Sequence, residues 1–576
     1  MILAIGVSPL LTLIPVSADT VAVVVSGGDT ALRDNVQAHL GLADLACNTT
    51  ELHLRGRLRG ADEQISQALR ALGYYHGEWR VKRERVAGKK NGNGGCWRIT
   101  VELEPGPPVT VATRDVRVEG EGAADAVFTR YLASLPLAPG ERLNHATYEA
   151  IKNGLVQRAR TAGYFEAEFS HRALDVDTER NSADIRLVYD SGPRYRFGAI
   201  SYGPSPLDEA LLERFVTFAP GELFDADKLI QSQSNLINSL YFASVNLDQQ
   251  RPDRERLEVP VAITTSPRSK YETTASVGFS TDTGPRVGYG LANRRVNGAG
   301  DTYLVSSQLS PVQSNLGFQY SQPGDDPLRD KTQWSTGWQR EDTDTATSDS
   351  FRAEVARITM TESDWLRTLS LKYLFEDFRI AGESQSSMLL MPGIGWSKSR
   401  ANDSRYPTRG WRLGSAFRVA VEGLVSDVTL AQAELDGKLV LPLVGGRLIT
   451  RAGIGTTVLD DFAQLPASLR FFAGGDNSVR GFDYQTLGPE DSNGKVIGGK
   501  HQVTGSVEYD HKVWKDFALA AFVDAGTAFD TRDFTLYQSA GFGVRWFSPI
   551  GPIRVDFAFP LDEGGFRLHL SMGPDL

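Results

Sequence analysis

From Ser269 to Leu576 the chain alternates, and this limits its fold more than any other feature. In Tyr271-Glu-Thr-Thr-Ala-Ser-Val-Gly-Phe279, the residues Tyr271, Thr273, Ala275, Val277 and Phe279 share one face, while Glu272, Thr274, Ser276 and Gly278 take the other. Ile553-Arg-Val-Asp-Phe-Ala-Phe559 sets Arg554 and Asp556 opposite its apolar face, and Phe566-Arg-Leu-His-Leu-Ser-Met572 does the same with Arg567 and His569. Period-two alternation with charges on one face is what a transmembrane barrel with a polar lumen requires. No part of this half holds the roughly eighteen consecutive apolar residues of a spanning helix. A membrane crossing must therefore be a closed barrel, because open strand edges cannot be satisfied in lipid. The half is about 300 residues long, and at roughly 19 residues per strand and connection it predicts about sixteen strands. An array of soluble β-sandwiches is the competing reading. Charges inside several strands, and the lack of a second core pattern, count against it.

One long stretch interrupts the alternation, Arg470-Phe-Phe-Ala-Gly-Gly-Asp-Asn-Ser-Val-Arg-Gly-Phe-Asp-Tyr-Gln-Thr-Leu-Gly-Pro489. Loops this long usually have a function or are disordered, and this one is too rich in Phe, Tyr, Val and Leu for a solvated linker. At its centre, Val479-Arg480-Gly481-Phe482 holds one cation among apolar neighbours. A partner is offered by Phe522-Val523-Asp524-Ala525-Gly526, where an acid interrupts an apolar strand. Parity sends Phe517, Leu519, Ala521 and Val523 to the lipid and Asp524 to the lumen. Arg480 can reach it only if the loop folds back inside.

The first half repeats instead, from Thr20 to about Pro267. Each unit opens with a short strand ending in Gly: Val23 to Gly27, Val116 to Gly120, Ile200 to Gly203. Ala-Pro-Gly-Glu precedes a helix in the second and third units, with Asn144 and Asp225 at the N-cap position. The second helices stop alike, at Leu72-Gly73-Tyr74-Tyr75, Ala162-Gly163-Tyr164-Phe165 and Ser239-Leu240-Tyr241-Phe242, although the third lacks the Gly. Two strands close each unit, giving the order strand, helix, helix, strand, strand. Such small sheets leave edges able to accept an extended chain; a passive spacer is the bland alternative.

Met1 to Ala18 is apolar and ends Val16-Ser17-Ala18, which fits an export signal cleaved before Asp19. In an exported chain Cys47 and Cys96 fit a disulfide, and two buried thiols fit as well. The net charge of −10 argues against nucleic acid as a partner. No triad or metal spacing involves the eight scattered histidines, so neither an enzyme nor a cofactor is expected, and His569 reads as a solvated lumen residue.

The tandem repeats resemble POTRA domains, the periplasmic modules that precede outer-membrane assembly barrels. With Tyr406-Pro-Thr-Arg-Gly410, the Val479–Phe482 loop, Phe522 to Gly526 and Gly541 to Asp556, nearly the whole mature chain resembles the POTRA-plus-barrel assembly family. Within that family it is most similar to the outer-membrane subunits of translocation and assembly modules, the TamA branch, which are relatives of BamA. The resemblance implies an α+β half followed by an all-β one. Residues 1–18 form the signal peptide, 19–107, 108–193 and 194–268 three β-α-α-β-β POTRA domains, and 269–576 a 16-stranded barrel of the bacterial surface antigen type. It further implies insertion of outer-membrane proteins, autotransporters among them, from the periplasmic side of a Gram-negative outer membrane. A TamB-like partner, anchored in the inner membrane, would reach the POTRA domains. Unfolded clients and outer-membrane lipid complete the expected contacts. A two-partner secretion transporter and a passive pore are the alternatives; the lack of a helical plug pattern before the repeats disfavours the first, and the repeats themselves disfavour the second.

A mechanism follows from where the barrel closes. Strand one, about Tyr271 to Ser280, must meet strand sixteen, about Phe566 to Gly573, and Pro574 has no N–H for a ladder. Tyr271, Ser276 and Gly278 on one side, with Phe566, Gly573 and Pro574 on the other, thus mark a weak lateral seam. A client strand could add there.

Overall fold

A computed structural model describes residues 20–572, apart from 43–44, 48, 87–95, 404–405, 424, 532–533, 549–550 and 563. The signal segment, Gly573 and Pro574 lie outside the described residues. The chain divides into two compact units. One comprises the chain up to Ile200 with 218–229 and 249–261; the other comprises 201–217, 230–248 and everything from 262 onward.

The first repeat contains β1 (Ala22–Ser26), α1 (Thr30–Leu40), α2 (Glu51–Leu58), α3 (Ala61–Ala71), β2 (Glu78–Val86) and β3 (Cys96–Glu104). It therefore has three helices, where the sequence pattern predicts two. Thr50 caps the start of α2 by accepting from the His53 N–H, and Arg59-Gly60 separates α2 from α3 with no side-chain cap. The sheet order is β1-β3-β2, with β1 parallel to β3, over a core of Leu32, Val36, Leu54, Ile65, Ile99 and Val101. Cys47 and Cys96 form a disulfide. It closes a loop of 49 residues, so reduction is expected to destabilise this repeat by about 4 kcal/mol at most. Faster proteolysis of the repeat under reductant, with the barrel untouched, is the measurement. Equal rates would assign the bond no stabilising part.

The second repeat, β4 (Thr110–Glu119), α4 (Ala126–Ala133), α5 (His145–Thr161), β5 (Glu168–Asp177) and β6 (Ser182–Asp190), repeats the order β4-β6-β5. Asn144 caps α5 as expected, accepting from Thr147 N–H at 3.2 Å. The third, β7 (Arg196–Tyr202), α6 (Glu209–Glu213), α7 (Ala226–Asn238), β8 (Phe242–Gln249) and β9 (Glu258–Pro267), gives β7-β9-β8. Gly73 and Gly163 end their helices at φ 86° and 85°, and where the third repeat lacks glycine Leu240 adopts φ 65°. The backbone turn is kept at the cost of strain in a leucine.

Sixteen antiparallel strands, β10 to β25, follow in chain order from Tyr271 to Met572. The first is β10 (Tyr271–Ser280), paired to β11 (Gly284–Asn293). The last six are β20 (Gly446–Leu459), β21 (His501–Trp514), β22 (Phe517–Phe529), β23 (Tyr537–Ser548), β24 (Gly551–Pro560) and β25 (Arg567–Met572). Alternation matches the pleat: Leu519 and Val523 are exposed on the outer face, while Asp524 is fully buried inside. Strand sixteen starts at Arg567, so Phe566, expected within it, lies just before it in a Gly-rich connection. Among the described residues no helix is long and apolar enough to cross a membrane.

Candidate functional site: the in-folded loop and the seam

Between β20 and β21 the long loop turns into the lumen. Its apolar residues supply the reason: Ala473, Val479, Phe482 and Leu487 are buried together, with Tyr537 of β23 packed edge-on against Phe482 at 5.5 Å. Gly526 makes room for this contact, since a Cβ there would lie 3.0 Å from a Val479 methyl.

Arg480 is thereby delivered to the barrel wall. Its Nε donates to Asp524 Oδ2 at 2.7 Å, Nη2 to Oδ1 at 2.9 Å, and its main-chain N–H to Oδ2 at 3.1 Å. This two-pronged pairing is the geometry in which Arg binds carboxylates most strongly. Nη1 reaches Glu508 of β21 at 2.8 Å and Asp556 of β24 at 3.1 Å. Arg545 of β23 binds the same two acids, at 2.8 and 2.6 Å. Phe522 closes the site, its ring centre 3.4 Å from the guanidinium carbon. Arg451 lies 3.6 Å from Asp524, so three acids face three arginines in a site nearly closed to solvent. Of these residues the sequence points to Arg480 and Asp524 as a pair. Glu508, Arg545 and Arg451 carry no comparable signal, because they become neighbours only through the register of separate strands.

The same loop meets the seam. Among the described residues β10 and β25 share no ladder; Thr281 N–H donates to Leu570 O at 3.1 Å, and Leu570 N–H goes to the Thr281 hydroxyl at 3.3 Å. Tyr271, Ser276 and Gly278 are all on β10, and Tyr271 is well exposed. His569 is not solvated, as the sequence suggests; it is 2 % exposed and held at both ring nitrogens. Gly481 N–H donates to Nε2 at 2.8 Å, which leaves the ring proton on Nδ1 to be donated to Asp476 Oδ1 at 2.6 Å. A loop arriving from 93 residues away is not visible in the local pattern.

Asp282, in the β10–β11 turn, Asp476 and His569 place one ligand atom each within 4.8 Å of the others. Burial, then the adjacent Asp476 carboxylate, push the Asp282 carboxyl up to about 6. Both histidine nitrogens are already used in hydrogen bonds, so the cluster is arranged around a proton and does not suit a cation.

The Omp85 superfamily domain matches residues 261–573. A model described as POTRA domain TamA domain 1 matches 22–105, and a surface antigen variable number repeat matches 111–192. The outer membrane protein assembly factor BamA of Neisseria meningitidis serogroup B is 22 % identical over 74 % of this chain and 62 % of its own length. BamA of Nitratidesulfovibrio vulgaris is 23 % identical over 71 % and 55 % respectively. The chain thus spans little more than half the length of these relatives. A solved structure of Haemophilus ducreyi BamA lacking POTRA domains 1–3 superposes with a TM-score of 0.70 at 17 % identity, covering 81 % of this chain and 99 % of that one. The barrel is an outer-membrane one of the Gram-negative type, with the repeats on the periplasmic side. With a family domain spanning more than half of its residues, the chain belongs to the Omp85 superfamily.

Proposed function

We propose that this protein assembles other β-barrel proteins into the outer membrane, docking unfolded clients on the repeats and adding their strands at the lateral seam. The observation that carries the reading is the seam: among the described residues two strands meet in lipid with one backbone hydrogen bond between them. An unpaired edge there leaves polar groups unsatisfied, and a client strand is the partner that satisfies them. Autotransporters are the expected clients, and a TamB-like protein anchored in the inner membrane the expected partner of the repeats, with outer-membrane lipid around the barrel. No covalent chemistry, and hence no enzyme activity, is required. A passive pore fits less well, because the loop occupies the lumen. Secretion of a two-partner substrate would need that loop to leave.

Reconstitution in liposomes tests the reading. A urea-denatured client barrel should fold about tenfold faster or more with the protein present than in empty vesicles, the scale at which a barrier falls by one hydrogen bond to a charged group. Unchanged folding beside substantial ion flux would favour the pore.

A further inference from the structure

We propose that Asp476 is a positioning residue that closes the barrel: its one carboxylate clasps strand one and strand sixteen together where the strands themselves hardly pair. Ser280 Oγ donates to Oδ2 at 2.8 Å and Thr281 Oγ1 to Oδ1 at 2.9 Å, both from the end of β10. His569 of β25 donates to Oδ1 from the other side at 2.6 Å. Asp476 N–H in turn donates to Asp282 Oδ2 at 2.8 Å, fixing the loop to the β10–β11 turn. Among the described residues the direct contacts between the two edges are one backbone bond, Thr281 to Leu570, and one bond from Leu570 N–H to the Thr281 hydroxyl; Arg286 of β11 adds a long one to Met572 O at 3.4 Å. Three hydrogen bonds to one buried carboxylate are the stronger set, since ionised acceptors form bonds about twice as strong as neutral ones.

The clasp is rigid because its other end is anchored. Four residues on, Arg480 is held to β21, β22 and β24, and the next residue, Gly481, grips the far nitrogen of His569. Loop and seam therefore move as one. An extended loop that withdrew from the lumen would take both bonds of His569 with it and leave the edges of β10 and β25 free.

The inference concerns the barrel by itself and stands or falls separately from what the barrel inserts. Nitroxide labels on Val277→Cys and Leu568→Cys, both exposed to lipid, report the seam by pulsed electron resonance, the native cysteines being bonded to each other. A control pair on Leu519→Cys and Phe559→Cys spans β22 and β24. One narrow seam distance is expected in the parent. With Asp476→Ala, or with His569→Ala, which cuts both loop bonds to β25 and leaves the β10 arm, the longer-distance population should rise about tenfold or more. The control distance should stay fixed, which a general loosening of the fold would not allow. A barrel that folds with Asp476→Ala and keeps the parental seam distribution overturns the clasp. If Asp476→Ala fails to fold, Ser280→Ala removes one bond of the β10 arm and leaves the direct Thr281–Leu570 contacts and the anchor at Arg480 in place. Widening of the seam in that variant supports the clasp, and an unchanged distribution overturns it.

Discussion

Replacing Arg480 by Ala is expected to lower barrel stability by roughly 3–5 kcal/mol, the cost of stranding buried charges whose partner is gone. Asp524 would lose two of its three hydrogen bonds from residue 480 and keep that from the main-chain N–H, and Glu508 and Asp556 would be left to share Arg545. Arg451 offers partial relief from 3.6 Å, so the value should fall toward the lower end of that range. Arg480→Lys should rescue little, because an ammonium cannot serve Asp524 with two prongs and two further acids at once. The measurement is the denaturant midpoint of the barrel in micelles, followed by its heat-dependent shift on a gel. In a double-mutant cycle with Asp524→Ala the coupling should reach about 2 kcal/mol or more, near the upper end for groups in one network. Additive losses, with no coupling, would mean that the loop rests in the lumen without being locked to β22.

Much of this was legible because two periodicities do the specifying. Strand alternation decides which side chains face lipid, so Asp524 stands out as an acid pointing inward from an apolar strand. The loop cation stands out for the converse reason, being the polar member of an apolar segment. What stayed hidden depends on register and on distance along the chain. Glu508 and Arg545 alternate correctly but meet Arg480 only because β21, β22, β23 and β24 are neighbours in a wall. His569 fits the pattern of a solvated lumen residue until the loop covers it. Leu240 hides differently: a backbone turn conserved in geometry between repeats does not demand glycine, so its absence says nothing about the fold. The break between α2 and α3 leaves no signal because a single Gly amid polar residues, without a side-chain cap, keeps helical periodicity almost intact.

A covalent staple across the seam should abolish client insertion while leaving the barrel folded. The position matters. Thr281 N–H bonding to Leu570 O sets the two strands in register, and counting outward in opposite directions brings Phe279 opposite Met572. Ser276 would by the same count fall opposite a position outside the described residues, so Phe279→Cys with Met572→Cys is the pair to use. Both lie outside the Arg480 network and the clasp, so folding should proceed as in the parent. With the disulfide formed, the free edge of β10 is no longer available, and a client strand has no row of N–H and C=O groups to pair with. In lipid there is no substitute, since unpaired backbone costs several kcal/mol per group. Client folding should therefore fall to the rate in empty vesicles, and reductant should restore it. Each single-cysteine variant, treated with the same reductant, controls for loss of the Cys47–Cys96 bond in the first repeat. Full insertion with the staple closed would rule out strand addition at this seam and move the route to the lumen, behind the loop that Arg480 holds.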